Sequence, residues 1–368
     1  MQRCIELARK GAGSVAPNPM VGAVLVCDDE IIGEGWHQQY GEAHAEVNCI
    51  RKAEAKGFAH LIAKATIYVS LEPCAHFGKT PPCSDFIIKH NIPKVVIGCR
   101  DPFKEVDARL NDEVGQGKGI EKLKAAGVEV VADVLKEECM ELNKRFFTFH
   151  KQQRPYIILK WAQTKNKMIA PLNHPPFGGE TSDSAHQRLL ISNEMTNRLV
   201  HQWRGEEASI LVGTNTALLD DPQLTNRYWE GKQPVRLVLD KQLRLPNTLK
   251  IFNDAARTII FNSIKNTQEG NVQFYQLPAD ADTVPALLRS LYQLNINSVL
   301  VEGGAQLLES FIAAGLWDEA RIITNGQLTV EEGLAAPQLA HQIQVTEQQI
   351  GTDHIVFYKN TLPLTFNP

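Results

Sequence analysis

The chain has 368 residues, of which 43% are hydrophobic and 22% charged, with a formal net charge of −4. That length is long for one hydrophobic core and suits two domains of ordinary size, and the composition is that of a globular chain in water. Divided at residue 145, the two parts each carry −2, so neither has the basic balance of a nucleic-acid surface, and no apolar run reaches the length of a membrane span.

Residues 2–11 alternate charged and apolar side chains at helical spacing. This predicts a surface helix rather than a secretory signal, and with it a cytoplasmic chain. Pro17-Asn18-Pro19 predicts a loop, Val21 to Val26 a strand, and Asp28-Asp29-Glu30 a hairpin turn into Ile31 and Ile32. A helix is expected from about Ala43, carrying His44 and Glu46 in its first turn. The run Thr66 to Leu71 reads as a strand ending at Glu72-Pro73-Cys74. Cys74 is thereby expected at a strand-to-helix junction, where a helix N-terminus favours thiolate over thiol. Cys83 is expected on a longer loop whose turn chemistry comes from Gly78, Pro81 and Pro82. Lys94 to Gly98 and Val128 to Val131 read as further strands, with a long segment from Phe103 to Gly119 and a helix over about 119–126 between them. Layers of helix on a buried sheet are the expected result.

Residues 140–155 form a polar junction with a proline stop, and the domain boundary is placed between 145 and 146. Beyond it, strands are predicted at Tyr156 to Leu159, Ser209 to Gly213, Val235 to Leu239, Thr258 to Phe261, Ser298 to Glu302 and His354 to Tyr358. Helices fit at 192–203, with Ser192 as N-cap, and at 283–294 and 305–314. Continuous apolar strands separated by helices predict a sheet covered on both faces.

The chemistry concentrates in His44, Glu46, Cys74 and Cys83. One imidazole and two thiolates fill three corners of a zinc tetrahedron and leave the fourth for water, the pattern of a catalytic rather than a structural site. Zinc lowers the pKa of such a water to about 7. Glu46, two residues beyond His44, is the natural carrier of protons from that water to a departing ammonia. Nucleobase deaminases place these residues as H-x-E followed by P-C-x-x-C, whereas here the cysteines are nine residues apart. The other five cysteines show no pairing pattern and read as reduced thiols. In the second part Glu302-Gly303-Gly304-Ala305 links a strand to a helix and is the best phosphate-binding candidate. The absence of G-x-G-x-x-G counts against a Rossmann dinucleotide domain.

Pro17-Asn18-Pro19-Met-Val-Gly22, Gly33-Glu-Gly35-Trp-His37, Gly41-Glu-Ala-His44-Ala-Glu46, Leu71-Glu-Pro-Cys74 and Gly78-Lys-Thr-Pro-Pro-Cys83 together resemble the bifunctional riboflavin biosynthesis proteins. The second part is similar to the same family through Tyr156-Ile-Ile-Leu-Lys160, Gly213-Thr-Asn-Thr216, Leu219-Asp220-Asp221-Pro222-Gln-Leu224-Thr-Asn-Arg227 and Glu302-Gly303-Gly304. The resemblance implies an α/β chain: a cytidine-deaminase-like three-layer domain over 1–145 and a dihydrofolate-reductase-like domain over 146–368. It implies zinc-dependent hydrolytic deamination of a phosphoribosylated diaminohydroxypyrimidine, then NADPH-dependent reduction of its ribosyl group to ribityl. One zinc ion would be held by His44, Cys74 and Cys83, with Glu46 catalytic. Asn18, His37, His76 and Lys79 would bind the first substrate, and Arg188, Arg204, Leu224, Arg227 and Glu302 the second, with Arg204 and Arg227 suiting its phosphate. Lys160, Ala162, Leu190, Thr216, Asp220, Gly303 and Gly304 would contact NADPH. The partner is a phosphorylated small molecule, with neither nucleic acid nor membrane, and a homodimer or tetramer is the expected assembly.

Two departures from the family pattern stand out. Thr164-Lys165-Asn166-Lys167 replaces a Ser/Thr-x-Asp-Gly turn, and Leu190 replaces a tryptophan. A deaminase with an impaired reductase half, a nucleic-acid deaminase, and a non-enzymatic zinc module stay as alternatives at this point.

Overall fold

The computed structural model describes residues 1–77, 81–101, 118–171, 189–278 and 281–362, and the chain divides into two compact units, Met1–Gln152 and Gln153–Pro368. Lys79, Arg188 and nearly all of the segment from Phe103 to Gly119 lie outside the described residues. Among the described residues no helix is long and apolar enough to cross a membrane.

The first unit runs α1 (Gln2–Arg9), β1 (Gly22–Cys27), β2 (Glu30–Trp36), α2 (Ala45–Ala55), β3 (Thr66–Leu71), α3 (Cys83–Lys89), β4 (Lys94–Cys99), α4 (Gly119–Ala125), β5 (Glu129–Val131), α5 (Lys136–Leu142) and α6 (Lys144–Gln152). Asp28 and Asp29 both take positive φ (50° and 64°), the two-residue turn that matches strand twist, so β1 and β2 pair as a hairpin. The sheet order is β2-β1-β3-β4-β5, antiparallel through β3 and parallel beyond it. Alternate strand residues face opposite layers. Leu25, Ile67, Val69, Val95 and Ile97 meet α2, α3 and α4 through Cys49, Ile50, Ile87 and Leu123. Val24, Leu71 and Cys99 face the other way, toward α1, α5 and α6. The result is three layers, helix on sheet on helix.

The second unit runs β6 (Tyr156–Gln163), β7 (Met168–Pro171), α7 (Glu194–Glu206), β8 (Ser209–Gly213), α8 (Thr214–Asp220), β9 (Val235–Leu239), β10 (Thr258–Asn262), β11 (Thr267–Glu269), β12 (Val272–Gln276), α9 (Thr283–Gln293), β13 (Ser298–Gly303), α10 (Ala305–Ala313), β14 (Glu319–Asn325), β15 (Gly333–Ala335), β16 (Gln342–Ile350) and β17 (Asp353–Asn360). A ten-stranded sheet has the order β11-β12-β10-β9-β8-β13-β6-β14-β17-β16, and β15 pairs with β7 apart from it. Ile157, Leu159, Leu211, Leu237, Val299 and Val301 pack beneath α9 and α10. Their neighbours Ile158, Leu300, Ile210, Val212 and Val238 pack on the opposite face with α7 and α8, so the sheet is covered on both sides as expected. The cap of α7 is Asn193, whose side chain accepts from Thr196 N–H, and not Ser192.

Two elements that position the first site differ from expectation. No helix begins at Cys74, since β3 ends at Leu71 and the next helix opens at Cys83. Cys83, expected on a loop, is the first residue of that helix.

Candidate functional sites

Gly35 sets the height of α2 over β2. A Cβ at Gly35 would lie 2.3 Å from the Cys49 nitrogen and 2.5 Å from the Ala45 carbonyl, so only glycine lets the helix sit this close. The close approach drops His44, the N-cap of α2, and Glu46 in its first turn onto the sheet edge where the β3–α3 connection arrives. The imidazole makes no capping hydrogen bond and is left for other chemistry.

His44 Nδ1 stands 3.6 Å from Cys74 Sγ and 3.3 Å from Cys83 Sγ, and the three atoms lie within 4.8 Å of one another. A tetrahedral zinc with Zn–N of about 2.0 Å and Zn–S of about 2.3 Å requires N···S edges of about 3.6 Å. The triple therefore fits zinc, with one corner left over. The Cys83 N–H at the start of α3 donates to Cys74 Sγ at 3.3 Å. Contact with the Cys83 sulfur, followed by hydrogen bonds from His44 and the Cys83 N–H, holds the Cys74 thiol down at about 4. The same sulfur contact, together with burial, drives the Cys83 thiol up. Burial, the largest cause, pushes Cys4 up to about 12 and Cys139 up to about 11, the setting of inert thiols.

Glu46 is 3% exposed and lies outside the ligand triple. Burial raises its carboxyl pKa, opposed by the nearby His44. Asn18 and His37 meet through Nδ2 and Nε2 at 3.3 Å, and the His37 ring packs edge-on to His44 with centroids 5.3 Å apart. His37 is buried, and that burial lowers its pKa. Nδ1 of His76 is buried with no hydrogen-bond partner among the described residues.

Sequence reasoning missed Glu72. Its buried carboxylate accepts from Asp101 N–H at 3.2 Å and from Ile120 N–H at 3.1 Å. Beside it, a Cβ at Gly119 would fall 1.9 Å from the Pro73 carbonyl. These contacts fix Glu72-Pro73, and so fix Cys74. The Leu-Glu-Pro-Cys run was visible in the sequence, but the partners of its acid lie 29 and 48 residues away.

In the second unit β8 and β13 are parallel neighbours. From β8 the chain passes through α8 to β9 on one side, while from β13 it passes through α10 to β14, beyond β6 on the other. Diverging connections open a crevice at the carboxyl ends of the two strands, the usual ligand position in such sheets. A cavity of about 1290 Å³ lies there. Lys160, Ala162, Leu190, Thr216, Asp220, Gly303 and Gly304 all line it, as do Arg204, Leu224, Arg227 and Glu302. An extended anionic cofactor fits this crevice, which offers cationic side chains and the start of α10 directly after Gly303-Gly304.

The charges there are paired. Arg204 donates to both Glu302 oxygens, and Lys160 Nζ stands 3.8 Å from the same carboxylate. Burial opposes ionisation of Glu302, but Arg204 and then Lys160 override it and hold the carboxyl at about 2. The remaining Arg204 nitrogen donates to the Thr225 carbonyl at 3.2 Å. Its fork thus serves Glu302, contrary to the expectation that it faces a phosphate. Arg227 is exposed at the cavity and is held by Gln223 and Thr225 side chains. His201, also missed, lies one turn before Arg204 on α7 and accepts the Arg227 N–H on Nδ1 at 2.9 Å.

The departing turn at 164–167 is closed by other means. Lys167 adopts φ of 61°, Thr164 Oγ1 donates to Asn166 Oδ1 at 2.7 Å, and Asn166 Nδ2 donates to the Val330 carbonyl at 2.7 Å. Leu190, in place of the tryptophan, is 77% exposed.

Family models match residues 1–99 as a cytidine and deoxycytidylate deaminase zinc-binding region and residues 178–329 as a RibD C-terminal domain. The chain is 37% identical over 376 residues to riboflavin biosynthesis protein RibD of Aquifex aeolicus, covering 98% of this chain and 97% of that protein. It is 33% identical to the Escherichia coli protein of the same name, over 87% of this chain and 84% of the other. A solved Thermotoga maritima structure, described as a diaminohydroxyphosphoribosylaminopyrimidine deaminase/5-amino-6-(5-phosphoribosylamino)uracil reductase, superposes with a TM-score of 0.82 at 35% identity, covering 98% and 97% of the two chains.

Proposed function

The chain belongs to the RibD family of riboflavin biosynthesis proteins, and from that premise we propose which of its residues carry each of two reactions. It is a bifunctional enzyme: a zinc-dependent deaminase of a phosphoribosylated diaminohydroxypyrimidine and an NADPH-dependent reductase of the resulting ribosyl group. The substrate is a small molecule, and the cofactors are zinc and NADPH.

In the deaminase half His44, Cys74 and Cys83 hold the metal, which when bound supplies a nucleophilic water at neutral pH by lowering its pKa. Glu46 takes a proton from that water and returns it to the ring amine, which leaves as ammonia. Asn18 holds the ring, and His76 and Lys79 serve the ribose phosphate. The observation that carries this reading is the match of the His44–Cys edges to a zinc tetrahedron beside a buried acid that lies outside the ligand triple.

In the reductase half the nicotinamide supplies the hydride, and the protein orients the reacting partners. Opening the ribosyl ring leaves an oxygen that needs a proton. Lys160, an ammonium held against Glu302 at the cavity wall, is placed to give it. Arg227, with Arg188, binds the phosphate, Leu224 packs on the substrate, and Ala162, Leu190, Thr216, Asp220, Gly303 and Gly304 cradle NADPH. The closed turn at 164–167 supports a working reductase and speaks against the deaminase-only reading.

The test follows ammonia and NADPH oxidation separately with the phosphoribosylated diaminopyrimidine. Both signals are expected from one chain. Ammonia released from the diaminopyrimidine, with no NADPH oxidised when the deaminated intermediate is supplied separately, would overturn the reductase assignment.

A further inference from the structure

We propose that His37 is a positioning residue that locks the Asn18 side-chain amide with its oxygen toward the substrate, making Asn18 an acceptor of a ring N–H. The proposal rests on the deaminase reading of this site. His37 Nδ1 lies 3.2 Å from the Ala43 carbonyl oxygen. A carbonyl can only accept, so Nδ1 carries the hydrogen. The atom facing Nε2 at 3.3 Å is Asn18 Nδ2, which can only donate, so Nε2 offers its lone pair. Of the two ends of the Asn18 amide only Nδ2 can donate. The amide orientation, which is free in an isolated asparagine, is thus dictated from Ala43 through the imidazole.

The anchor is itself fixed. Asn48 Nδ2 donates to the same Ala43 carbonyl at 3.1 Å and to the Trp36 carbonyl at 2.9 Å. Ala43 immediately precedes the metal-binding His44, so one hydrogen-bonded chain ties the substrate-facing amide to the backbone that carries a zinc ligand. His37 is 3% exposed, which suits a part that acts through another rather than one that touches a phosphate. The chemical consequence is selective. A ring N–H satisfies the Asn18 oxygen, whereas a ring nitrogen that presents only a lone pair would meet it lone pair to lone pair.

The experiment uses the full chain loaded with zinc and labelled with 15N-histidine. The His37 signals are assigned by difference from H37Q. The expected pattern is a protonated Nδ1 and a bare Nε2. A ring protonated on Nε2 would overturn the proposal. In parallel, H37L should retain zinc and lose roughly 10–100-fold in kcat/KM for ammonia release, as outer-shell changes typically do. H37Q, which can donate to Ala43 and accept from Asn18, should regain most of that loss. If H37Q is as impaired as H37L with zinc intact, the positioning role is refuted. Failure of the unaltered enzyme to release ammonia would sink the deaminase reading instead, while the ring pattern still decides His37.

Discussion

Arg204 grips both oxygens of Glu302, Nε to Oε1 at 2.8 Å and Nη2 to Oε2 at 2.7 Å, from a position 98 residues away in the chain. Two side chains of opposite charge, both mostly removed from water, form the floor of the reductase cavity.

Removing one partner strands the other. R204M should destabilise the second unit by about 3–5 kcal/mol, the usual cost of leaving a buried charge alone, and abolish NADPH oxidation. R204K should recover only part, because an ammonium cannot supply the fork. Thermal unfolding and NADPH consumption check both.

Glu302 also predicts a pH dependence. Its folded pKa, about 2, lies below the ordinary 4.5, so the pair's contribution is fully present above 4.5 and is lost as pH falls toward 2. The contribution is on the order of 3 kcal/mol. Urea unfolding of the wild type should weaken across that window more steeply than unfolding of E302Q.

E46Q separates chemistry from metal binding. Ammonia release should fall by roughly 10²–10⁴-fold while zinc content stays at one per chain. NADPH oxidation with the deaminated intermediate should be unchanged. Metal analysis alongside the two assays reads all three.

Chelation should act on one half only, because among the described residues the sole His/Cys/Asp/Glu triple fit for a metal is His44, Cys74 and Cys83. Zinc removal should end ammonia release and leave NADPH oxidation intact. C83S should mimic it.

Much of this architecture was legible from the sequence, and what was hidden has physical reasons. The apolar runs of β3, β4, β6, β8, β9, β10 and β13 announce themselves because both faces of those strands are covered. β14 does not, because its buried face carries Glu319 and Arg321, whose pairing at 2.7 Å makes charge tolerable there. β16 is exposed along most of its length and lacks an apolar face to read. Cys74 looked like a helix start because a strand and Pro-Cys preceded it, but the helix waits for Cys83. Motif matching gathered the reductase candidates into one cavity, yet it could not show that Arg204 spends its fork on Glu302, since side-chain pairing across 98 residues leaves no local trace.

Glu72 holds the chain where it departs at Asp101 and again where it returns at Ile120, with one carboxylate serving both ends. Both ends are therefore anchored beside the metal ligand, and a pull on either one meets the Glu72 carboxylate before it reaches Cys74.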